Sequence, residues 1–370
     1  MKQYEYMAKG RLKERGITVP PGRIADTPEE AAKVVAEIGP SALKAQVLVG
    51  GRGKAGGIKF ASTPEEAVIQ AKAILGMDLK GYRVDRLYVE AKLEIERELY
   101  VSVTTDRNAK KPLVMASAAG GVEIEEVQDD LIIRRLVDPE VGVLPYLGRE
   151  IAEAMNLSLP LAREFSELLV RLYAIYRQED AELVEINPLV VVDGHLIAAD
   201  ARLNIDDSAL FRHPEFELVE EGSALEHTVH QLGLAYVELD GDIAVMANGA
   251  GMAMATLDAI QHYGGRPANF LDAGGGAAVE PTAQALSVLV GMHPKAIFIN
   301  IFGGITRCDD VAQAILQVRR SQGIPVPLVV RLVGTNEQKG VAMLEEDGIA
   351  AFSEMSEAAQ RVVELAGEGR

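Results

Sequence analysis

The sequence has one cysteine and no long run of apolar residues. Because Cys308 has no second cysteine to pair with, an intrachain disulfide is excluded. No segment approaches the roughly 20 apolar residues that span a bilayer, and the N-terminal residues lack the apolar run of a secretory signal peptide. We therefore expect a cytoplasmic protein with no membrane-spanning segment.

Basic residues are in the minority, since 37 Lys and Arg face 55 Asp and Glu and give a formal net charge of −18. Such a surface repels nucleic acids and anionic membranes, so neither is expected as a partner except at a local basic loop. The 370 residues are 48% hydrophobic, which supplies enough apolar material for two or three domains.

Two styles of sequence divide the chain. Up to about residue 225, short β-type segments such as 100–106 and 112–119 are mixed with helical segments such as 27–39 and 63–76. This mixture is typical of an α+β nucleotide-binding region. Both helical segments begin with TPEEA, in which Thr suits the N-cap, Pro suits the first helical position and Glu-Glu suits the first turn.

The second half has a regular order of strand, glycine-containing turn and helix. From residue 241 this order occurs four times, and a fifth unit begins at IAAFS. The alternation predicts an open, doubly wound parallel sheet whose ligand-binding edge lies at the carboxyl ends of the strands. Domains are therefore expected at 1–225 and 241–370, and the charged stretch 226–240 is predicted to be a linker.

A glycine-rich loop in the first half is a candidate phosphate-binding site. Residues 43–57 read LKAQVLVGGRGKAGG, an apolar strand containing Lys44 and then a loop with five glycines, Arg52 and Lys54. Glycines let backbone N–H groups approach phosphate oxygens, and the basic side chains add charge. The spacing differs from GxxxxGK[ST], which disfavours a P-loop. A flexible hairpin tip with solvated charges remains the alternative.

A β-hairpin is predicted over residues 182–203, with Asp193-Gly194 as its two-residue turn. That turn sets Asn187 opposite Asp200. Directly opposed residues have Cβ atoms about 4.5–5.5 Å apart, so an amide oxygen and a carboxylate can hold one hard cation. Mg²⁺ completes its shell with water and nucleotide phosphates.

The same register sets Glu185 opposite Arg202, on the face that carries the proposed metal ligands. We expect these two residues to orient the site rather than to contact metal. A surface hairpin with an ordinary cross-strand ion pair is the alternative. Pro188 introduces a further possibility, a bulge that disturbs the register.

In the second half, residues 248–251 (NGAG) join a predicted strand to a predicted helix. Backbone N–H groups at such a turn form an anion site, to which Asn248 would add an amide donor; a plain turn is the alternative.

None of the six histidines follows a glycine-rich strand end as an exposed catalytic imidazole would. Cys308 begins a helix, where either a stabilised thiolate or a small buried filler is possible, and we favour the filler.

These motifs together resemble one family along nearly the whole chain. The matching segments are KAQVLVGGRGKAGG, the VEA…REL pair, AELVEINPLVV, AADARLN…ALFRHPE, ANGAGMAM, GGRPANFLDAGGGA and NIFGGITRCD. They resemble the β subunits of succinyl-CoA synthetases, also called succinate–CoA ligases. The resemblance implies an N-terminal ATP-grasp fold and a C-terminal flavodoxin-like domain. Leu48, in place of a frequent histidine, and Arg202, in place of a usual lysine, depart from the family pattern.

The resemblance also implies roles for individual residues. Around the nucleotide, ATP or GTP, it places Lys44, Gly51, Arg52, Gly53, Glu90, Leu93 and Glu98. On Mg²⁺ it places Asn187 and Asp200, in agreement with the hairpin register. At the carboxylate and phosphate side it places Asn248, Gly304, Ile305 and Thr306.

The family's reaction joins an acid to CoA in the tricarboxylic acid cycle and passes phosphate from nucleotide to a histidine and then to the acid. The resemblance places that histidine, and most of the CoA site, on an α subunit in an αβ or α₂β₂ assembly. Three alternatives remain open at this point: a malate–CoA ligase β subunit or related citrate-activating enzyme, an ATP-grasp amide ligase or carboxylase that works alone, and a non-catalytic scaffold subunit.

Overall fold

The chain divides into two units, Met1–Glu221 and Gly222–Arg370. The structure, a computed structural model, describes residues 1–216, 219, 222–276 and 278–368. Each unit has hydrophobic cores of its own. Among the described residues, no helix has both the length and the apolar character needed to cross a bilayer.

The first unit mixes helices with mainly antiparallel strands. Its helices are α1 (Glu5–Glu14), α2 (Pro28–Ile38), α3 (Pro64–Ile74), α4 (Pro145–Ala154) and α5 (Leu159–Gln178), with short 3-10 helices at Ile124–Glu126, Asp129–Leu131 and Asp207–Arg212. Its strands are β1 (Gly22–Ala25), β2 (Ser41–Ala45), β3 (Ile58–Ala61), β4 (Asp78–Leu79), β5 (Tyr82–Arg83), β6 (Leu87–Ala91), β7 (Arg97–Asp106), β8 (Lys111–Ser117), β9 (Ile133–Leu136), β10 (Ala181–Val192), β11 (His195–Ala198) and β12 (Arg202–Ile205).

The two TPEEA segments begin helices as predicted. The Thr27 side chain accepts a hydrogen bond from the backbone N–H of Glu30 at 3.2 Å, and Thr63 accepts one from Glu66 at 3.2 Å. Proline follows each threonine at the first helical position, where its missing N–H costs no helical hydrogen bond. Helices α2 and α3 therefore start at defined residues and pack beside the smaller sheet.

Two sheets of the first unit position its site. The smaller has the order β1-β6-β2-β3, and the glycine-rich loop connects β2 to β3. The larger has the order β11-β10-β7-β8-β9, with β12 also paired to β10, and helices α4 and α5 contribute to its core. The long strand β10 carries the predicted metal hairpin.

The second unit is built on a six-stranded sheet with the order β13-β15-β14-β16-β17-β18. Strands β14 to β18 are parallel to one another, as predicted. Its strands are β13 (Ala235–Glu238), β14 (Ile243–Ala247), β15 (Asn269–Asp272), β16 (Ala296–Gly303), β17 (Leu328–Gly334) and β18 (Ala351–Phe352). Its helices are α6 (Ala224–Gln231), α7 (Ala250–His262), α8 (Val279–Gly291), α9 (Cys308–Ser321), α10 (Glu337–Glu346) and α11 (Met355–Glu368).

The prediction of a linker over 226–240 is wrong. This stretch contains most of α6 and all of β13, which pairs antiparallel with β15 and gives the parallel sheet an antiparallel edge. A capping box between Ser223 and Glu226 starts the helix. The charged residues that suggested a linker belong to a partly exposed edge, where Tyr236 is the buried residue of β13. Residues 217–218 and 220–221, just before this stretch, lie outside the described part.

Candidate functional site

A cleft of about 280 Å³ lies in the first unit. Three stretches of chain contribute most of its lining: the glycine-rich loop, the hairpin formed by β10 to β12, and the segment after β8. The lining residues are Lys2, Gln3, Glu5, Val47, Leu48, Val49, Gly50, Gly51, Arg52, Gly53, Lys54, Ile58, Gly121, Val122, Glu123, Glu185, Asn187, Pro188, Asp200, Ala201 and Arg202. The predicted loop and the predicted metal pair therefore meet in one cleft.

The glycine-rich loop owes its shape to glycines at two kinds of position. Gly51 has φ of +72°, in the left-handed region that favours glycine. Gly57 is restricted by space, because a Cβ there would lie 2.4 Å from Cδ1 of Leu79. The backbone N–H of Gly57 donates to the carbonyl of Arg52 at 2.8 Å, which closes the loop on itself.

Lys44 and Arg52, which the family resemblance places around the nucleotide, are largely buried and paired with carboxylates. The Lys44 ammonium lies 2.9 Å from Glu5 and 2.6 Å from Glu90. The Arg52 guanidinium lies 2.7 Å from Glu5 and 2.8 Å from Asp200. Lys44 lies outside the lining of the cleft, so the loop's lining cations are Arg52 and the exposed Lys54.

Sequence reasoning missed Glu5 and Lys9, which complete this buried cluster. Lys9 contacts Glu5 at 2.9 Å and Glu90 at 2.5 Å, and it donates to the carbonyl of Ala199 at 2.7 Å. Burial by itself would raise the pKa of Glu5, but Arg52, Lys44 and Lys9 outweigh burial and hold that pKa well below its usual value. The sequence feature that could have revealed this contact is the spacing of Glu5 and Lys9 in YEYMAK, because residues four apart lie on the same face of a helix.

The hairpin has the predicted register. Glu185 pairs with Arg202, and Leu189 pairs with Ala198. These two pairs flank the position at which Asn187 was predicted to lie opposite Asp200. Asp193 and Gly194 form the turn, with φ of +48° and +76°. Pro188 leaves this register intact, since its carbonyl accepts from the N–H of Ala199 at 3.1 Å. The irregularity falls against β7, between Ile186 and Leu189.

Asn187 and Asp200 both line the cleft. The Asn187 amide oxygen accepts from the N–H of Gly121, and its nitrogen donates to the carbonyl of Val122, each at 2.9 Å. These bonds fix the orientation of the amide. Asp200 receives the Arg52 guanidinium on both of its oxygens, at 2.8 and 2.9 Å.

The donor chemistry of this pair fits Mg²⁺. An amide oxygen and a carboxylate are hard oxygen ligands, and Asn187 and Asp200 line the same cleft. Among the described residues, no cluster of three or more His, Cys, Asp or Glu side chains that could hold a metal is found. Two protein ligands suit Mg²⁺, because this ion usually retains several waters and binds substrate phosphates.

Glu185 lines the same cleft as Asn187 and Asp200. Burial raises the pKa of its carboxyl, while a hydrogen bond from the Tyr100 hydroxyl, at 3.1 Å, and the charge of Arg202 act in the opposite direction. Tyr100 and the cross-strand neighbour Arg202 thus fix the Glu185 carboxyl in the wall of the cleft.

The residues expected around the nucleotide base and ribose lie outside the lining of this cleft. Glu90 is on β6 and belongs to the buried cluster. Leu93 is half-buried in the segment between β6 and β7, and Glu98 is exposed on β7. The Glu98 carboxylate lies against Gly121, whose φ of +72° is in the left-handed region that favours glycine.

In the second unit, Asn248 connects neighbouring strand ends. Its side-chain nitrogen donates to the carbonyl of Phe302 and its oxygen accepts from the N–H of Phe302, both at 2.8 Å. The amide expected to face an anion therefore braces the end of β16. Gly249, whose N–H was also expected to face an anion, donates to Asp272 at 2.6 Å.

Gly304, Ile305 and Thr306 form the loop that follows β16. Ile305 is 83% exposed, whereas Thr306 is 1% exposed and its hydroxyl accepts from the N–H of Gly276 at 3.0 Å. The loops after β14, β15 and β16 are thus connected at the carboxyl edge of the parallel sheet, where ligands of such sheets bind.

Cys308 is fully buried in the core of the second unit. Burial raises the pKa of its thiol, and Glu337 and Asp309 add to the rise. The interpretation of Cys308 as a small buried filler is confirmed by its place in this core.

Comparisons with known proteins match both units. The ATP-grasp domain family matches residues 2–191, and the CoA-ligase family matches residues 246–365. The ADP-forming succinate–CoA ligase β subunit of Rubrobacter xylanophilus is 47% identical, with 100% of both chains covered. That of Pyrobaculum arsenaticum is 48% identical, covering 99% of this chain and 100% of the relative.

A solved structure of ATP citrate lyase from Methanothrix soehngenii, in complex with citrate and coenzyme A, has a similar fold. Its TM-score is 0.73 at 18% identity, and the match covers 99% of each chain. Full-length identity of 47% and two matching domain families, in the predicted order, agree with the arrangement of the two units. The chain therefore belongs to the succinate–CoA ligase β-subunit family, with an ATP-grasp domain followed by a CoA-ligase domain.

Proposed function

We propose that the chain is the nucleotide-binding β subunit of an enzyme that forms succinyl-CoA, phosphate and nucleoside diphosphate from succinate, CoA and ATP or GTP. The observation that carries the proposal is the meeting of the glycine-rich loop and the Asn187–Asp200 pair in one cleft. Family membership at 47% identity over the whole chain supports the choice of acid.

In the proposed site, Mg²⁺ would be held by Asn187 and Asp200. When bound, it would neutralise phosphate charge and help to orient the terminal phosphate. The backbone N–H groups of Gly51 and Gly53, together with Lys54, would contact phosphate oxygens from the loop side. Glu185 would help to orient the site from the cleft wall, where its carboxylate accepts a hydrogen bond from the Tyr100 hydroxyl at 3.1 Å.

Lys44 and Glu90 would support the nucleotide site without contacting the nucleotide. Their buried ion pair fixes the strand that leads into the glycine-rich loop. Leu93 and Glu98 would contact the base or ribose from the β6–β7 side, a role that rests on the family resemblance.

The phosphorylated histidine and most of the CoA site would be supplied by an α subunit. In this reaction, a histidine nitrogen takes the terminal phosphate from the nucleotide. A succinate oxygen then displaces the histidine to give an acyl phosphate, and the CoA thiol displaces phosphate from that intermediate.

The carboxyl edge of the parallel sheet would receive the acid or phosphoryl group. Ile305, which is 83% exposed, would offer its backbone there. Gly304 would shape the loop, since its N–H donates to the carbonyl of Phe302 at 3.0 Å, and Asn248 and Thr306 keep the loops in position through their hydrogen bonds. A cytoplasmic location is part of the proposal, because a chain with one cysteine is suited to a reducing compartment.

The test is an activity assay of the chain co-purified with its α subunit, using succinate, malate and citrate in turn. Succinate should give the highest kcat/KM. Asp200→Asn should lower kcat/KM for Mg²⁺–nucleotide by about 100-fold or more, since it removes the charged metal ligand. Full activity of this variant, or preference for another acid, would overturn the proposal.

A further inference from the structure

Asp200 can pair with either of two cations. The Arg52 guanidinium contacts it in the structure, and the proposed function also assigns it to Mg²⁺. Both of its carboxylate oxygens accept hydrogen bonds from the same Arg52 nitrogen, Nη2. A carboxylate engaged in this way has fewer lone pairs to offer a divalent ion. If Asp200 also binds Mg²⁺, the guanidinium and the metal must compete for it.

The contacts of Arg52 allow it to leave Asp200 while its contacts with Glu5 and Ala45 remain. Its other terminal nitrogen, Nη1, lies 2.7 Å from Glu5 and donates to the carbonyl of Ala45 at 3.1 Å. Glu5 is almost completely buried, whereas Asp200 is 28% exposed. The Glu5 contact is therefore the fixed end of Arg52, and the Asp200 contact is the end that solvent and ligands reach.

The charges of the cluster are balanced without a metal. Glu5, Glu90 and Asp200 carry the negative charges, and Lys9, Lys44 and Arg52 carry the positive charges. A divalent cation added alone would leave excess positive charge in a largely buried site, which is unfavourable. A nucleotide polyphosphate brings the compensating negative charge with the metal.

From these contacts we infer that Arg52 occupies Asp200 until a nucleotide arrives and then binds the nucleotide. When the metal–nucleotide complex binds, Nη2 leaves Asp200 for a phosphate oxygen, while Nη1 stays on Glu5. Metal binding at Asp200 and phosphate binding at Arg52 are thereby coupled, and metal without nucleotide binds weakly. The inference rests on the metal assignment in the proposed function.

The experiment measures Mn²⁺ binding to the full-length chain by electron paramagnetic resonance, with and without ADP. Removing the competing guanidinium in Arg52→Gln should raise nucleotide-free Mn²⁺ affinity by about tenfold, which corresponds to the loss of one good ion pair. The strengthening of Mn²⁺ binding by ADP should shrink in the same variant. Lys72→Gln, which removes an exposed charge on α3 outside the cleft lining, should change nucleotide-free affinity by less than about twofold.

A second substitution keeps the test valid if Arg52→Gln fails to fold. Arg52→Lys retains a charge near Glu5, but its ammonium lacks the second nitrogen that reaches Asp200. Its nucleotide-free Mn²⁺ affinity should rise by about threefold or more. Affinity equal to that of the unmodified chain in both variants, or in Arg52→Lys alone if the other does not fold, would overturn the inference.

Asp200→Asn separates this inference from the proposed function. It should abolish Mn²⁺ binding with and without ADP. If Asp200→Asn binds Mn²⁺ normally in the presence of ADP, the metal assignment itself is wrong. If Asp200→Asn removes binding while both Arg52 variants behave like the unmodified chain, only the coupling through Arg52 is wrong.

Discussion

Glu5 shows how a buried charge can be tolerated in the ATP-grasp domain. Its carboxylate contacts Lys9, Lys44 and Arg52 at 2.7–2.9 Å. Each ion has been taken out of water, so the cluster contributes little net stability as long as it is complete. Removing one member has a larger effect, because the remaining charges stay buried without a partner.

Lys44→Met should therefore destabilise the chain by about 3–5 kcal/mol, since Glu5 and Glu90 lose a shared counter-charge. Urea unfolding followed by circular dichroism measures the effect. Lys33→Met is the matched control, because Lys33 is exposed on α2 and surface substitutions typically stay within about 0.5 kcal/mol. A loss below about 1 kcal/mol for Lys44→Met would contradict this description of the cluster.

Stability should also depend on pH through Glu5. Its pKa in the folded chain lies well below the usual value, despite burial, because three cations surround it. A carboxyl with a depressed folded pKa stabilises the fold above its unfolded pKa of about 4.3, and this contribution is lost as pH falls towards the folded value. Glu5→Gln should thus be clearly less stable than the unmodified chain at pH 7, with the difference shrinking below about pH 4.

Thermal unfolding at several pH values checks this dependence. Glu153→Gln, an exposed carboxyl on α4, should leave the pH profile unchanged. A constant difference between Glu5→Gln and the unmodified chain from neutral to acid pH would mean that Glu5 contributes packing rather than charge.

At the scale of elements, two glycines inside helices have opposite surroundings. A Cβ on Gly340 of α10 would lie 2.7 Å from the carbonyl oxygen of Cys308, at the start of α9. A Cβ on Gly10 of α1 would meet nothing within 4 Å. Gly340 allows two helices to approach each other, whereas Gly10 has no such function.

Alanine at these two positions should have effects of opposite sign. Gly340→Ala should destabilise by about 1–3 kcal/mol, because the backbone of α9 must move. Gly10→Ala should stabilise by about 0.5–1 kcal/mol through helix propensity and a less flexible unfolded chain. Differential scanning calorimetry measures both, and a shift of the same sign in the two variants would disprove the role given to Gly340.

Local patterns were enough to predict several elements. The Asp193-Gly194 turn fixed the hairpin register because a two-residue turn leaves one pairing for the flanking strands. The threonine caps of α2 and α3 were read from four adjacent residues. Helix α6 and strand β13 were missed because their exposed charged residues resemble a linker and because β13 is an edge strand with one buried residue.

The partners of the candidate site were harder to predict because they are distant in sequence. Lys44 contacts a residue 39 positions away, and Arg52 contacts one 148 positions away. Glycine spacing predicted the loop but gave no sign that its arginine turns back towards Asp200. Such pairings depend on the assembled sheets, which a single sequence does not specify.

The whole molecule joins two kinds of binding surface in one chain. The ATP-grasp unit has a cleft with a glycine-rich loop and a hard-oxygen pair, and the CoA-ligase unit has a parallel sheet with connected loops at its carboxyl edge. The proposed reaction needs one further part, a histidine that receives phosphate. We expect it on the α subunit, so the chain alone should bind nucleotide without completing the reaction.

Transfer of radioactive phosphate tests this central claim most directly. The chain co-purified with its α subunit is incubated with Mg²⁺ and ATP labelled at the terminal phosphate, and the subunits are then separated. The account predicts acid-labile label on a histidine of the α subunit and none on this chain, with no labelling by Asp200→Asn complexes. Label on this chain, or formation of succinyl-CoA by this chain alone, would contradict it.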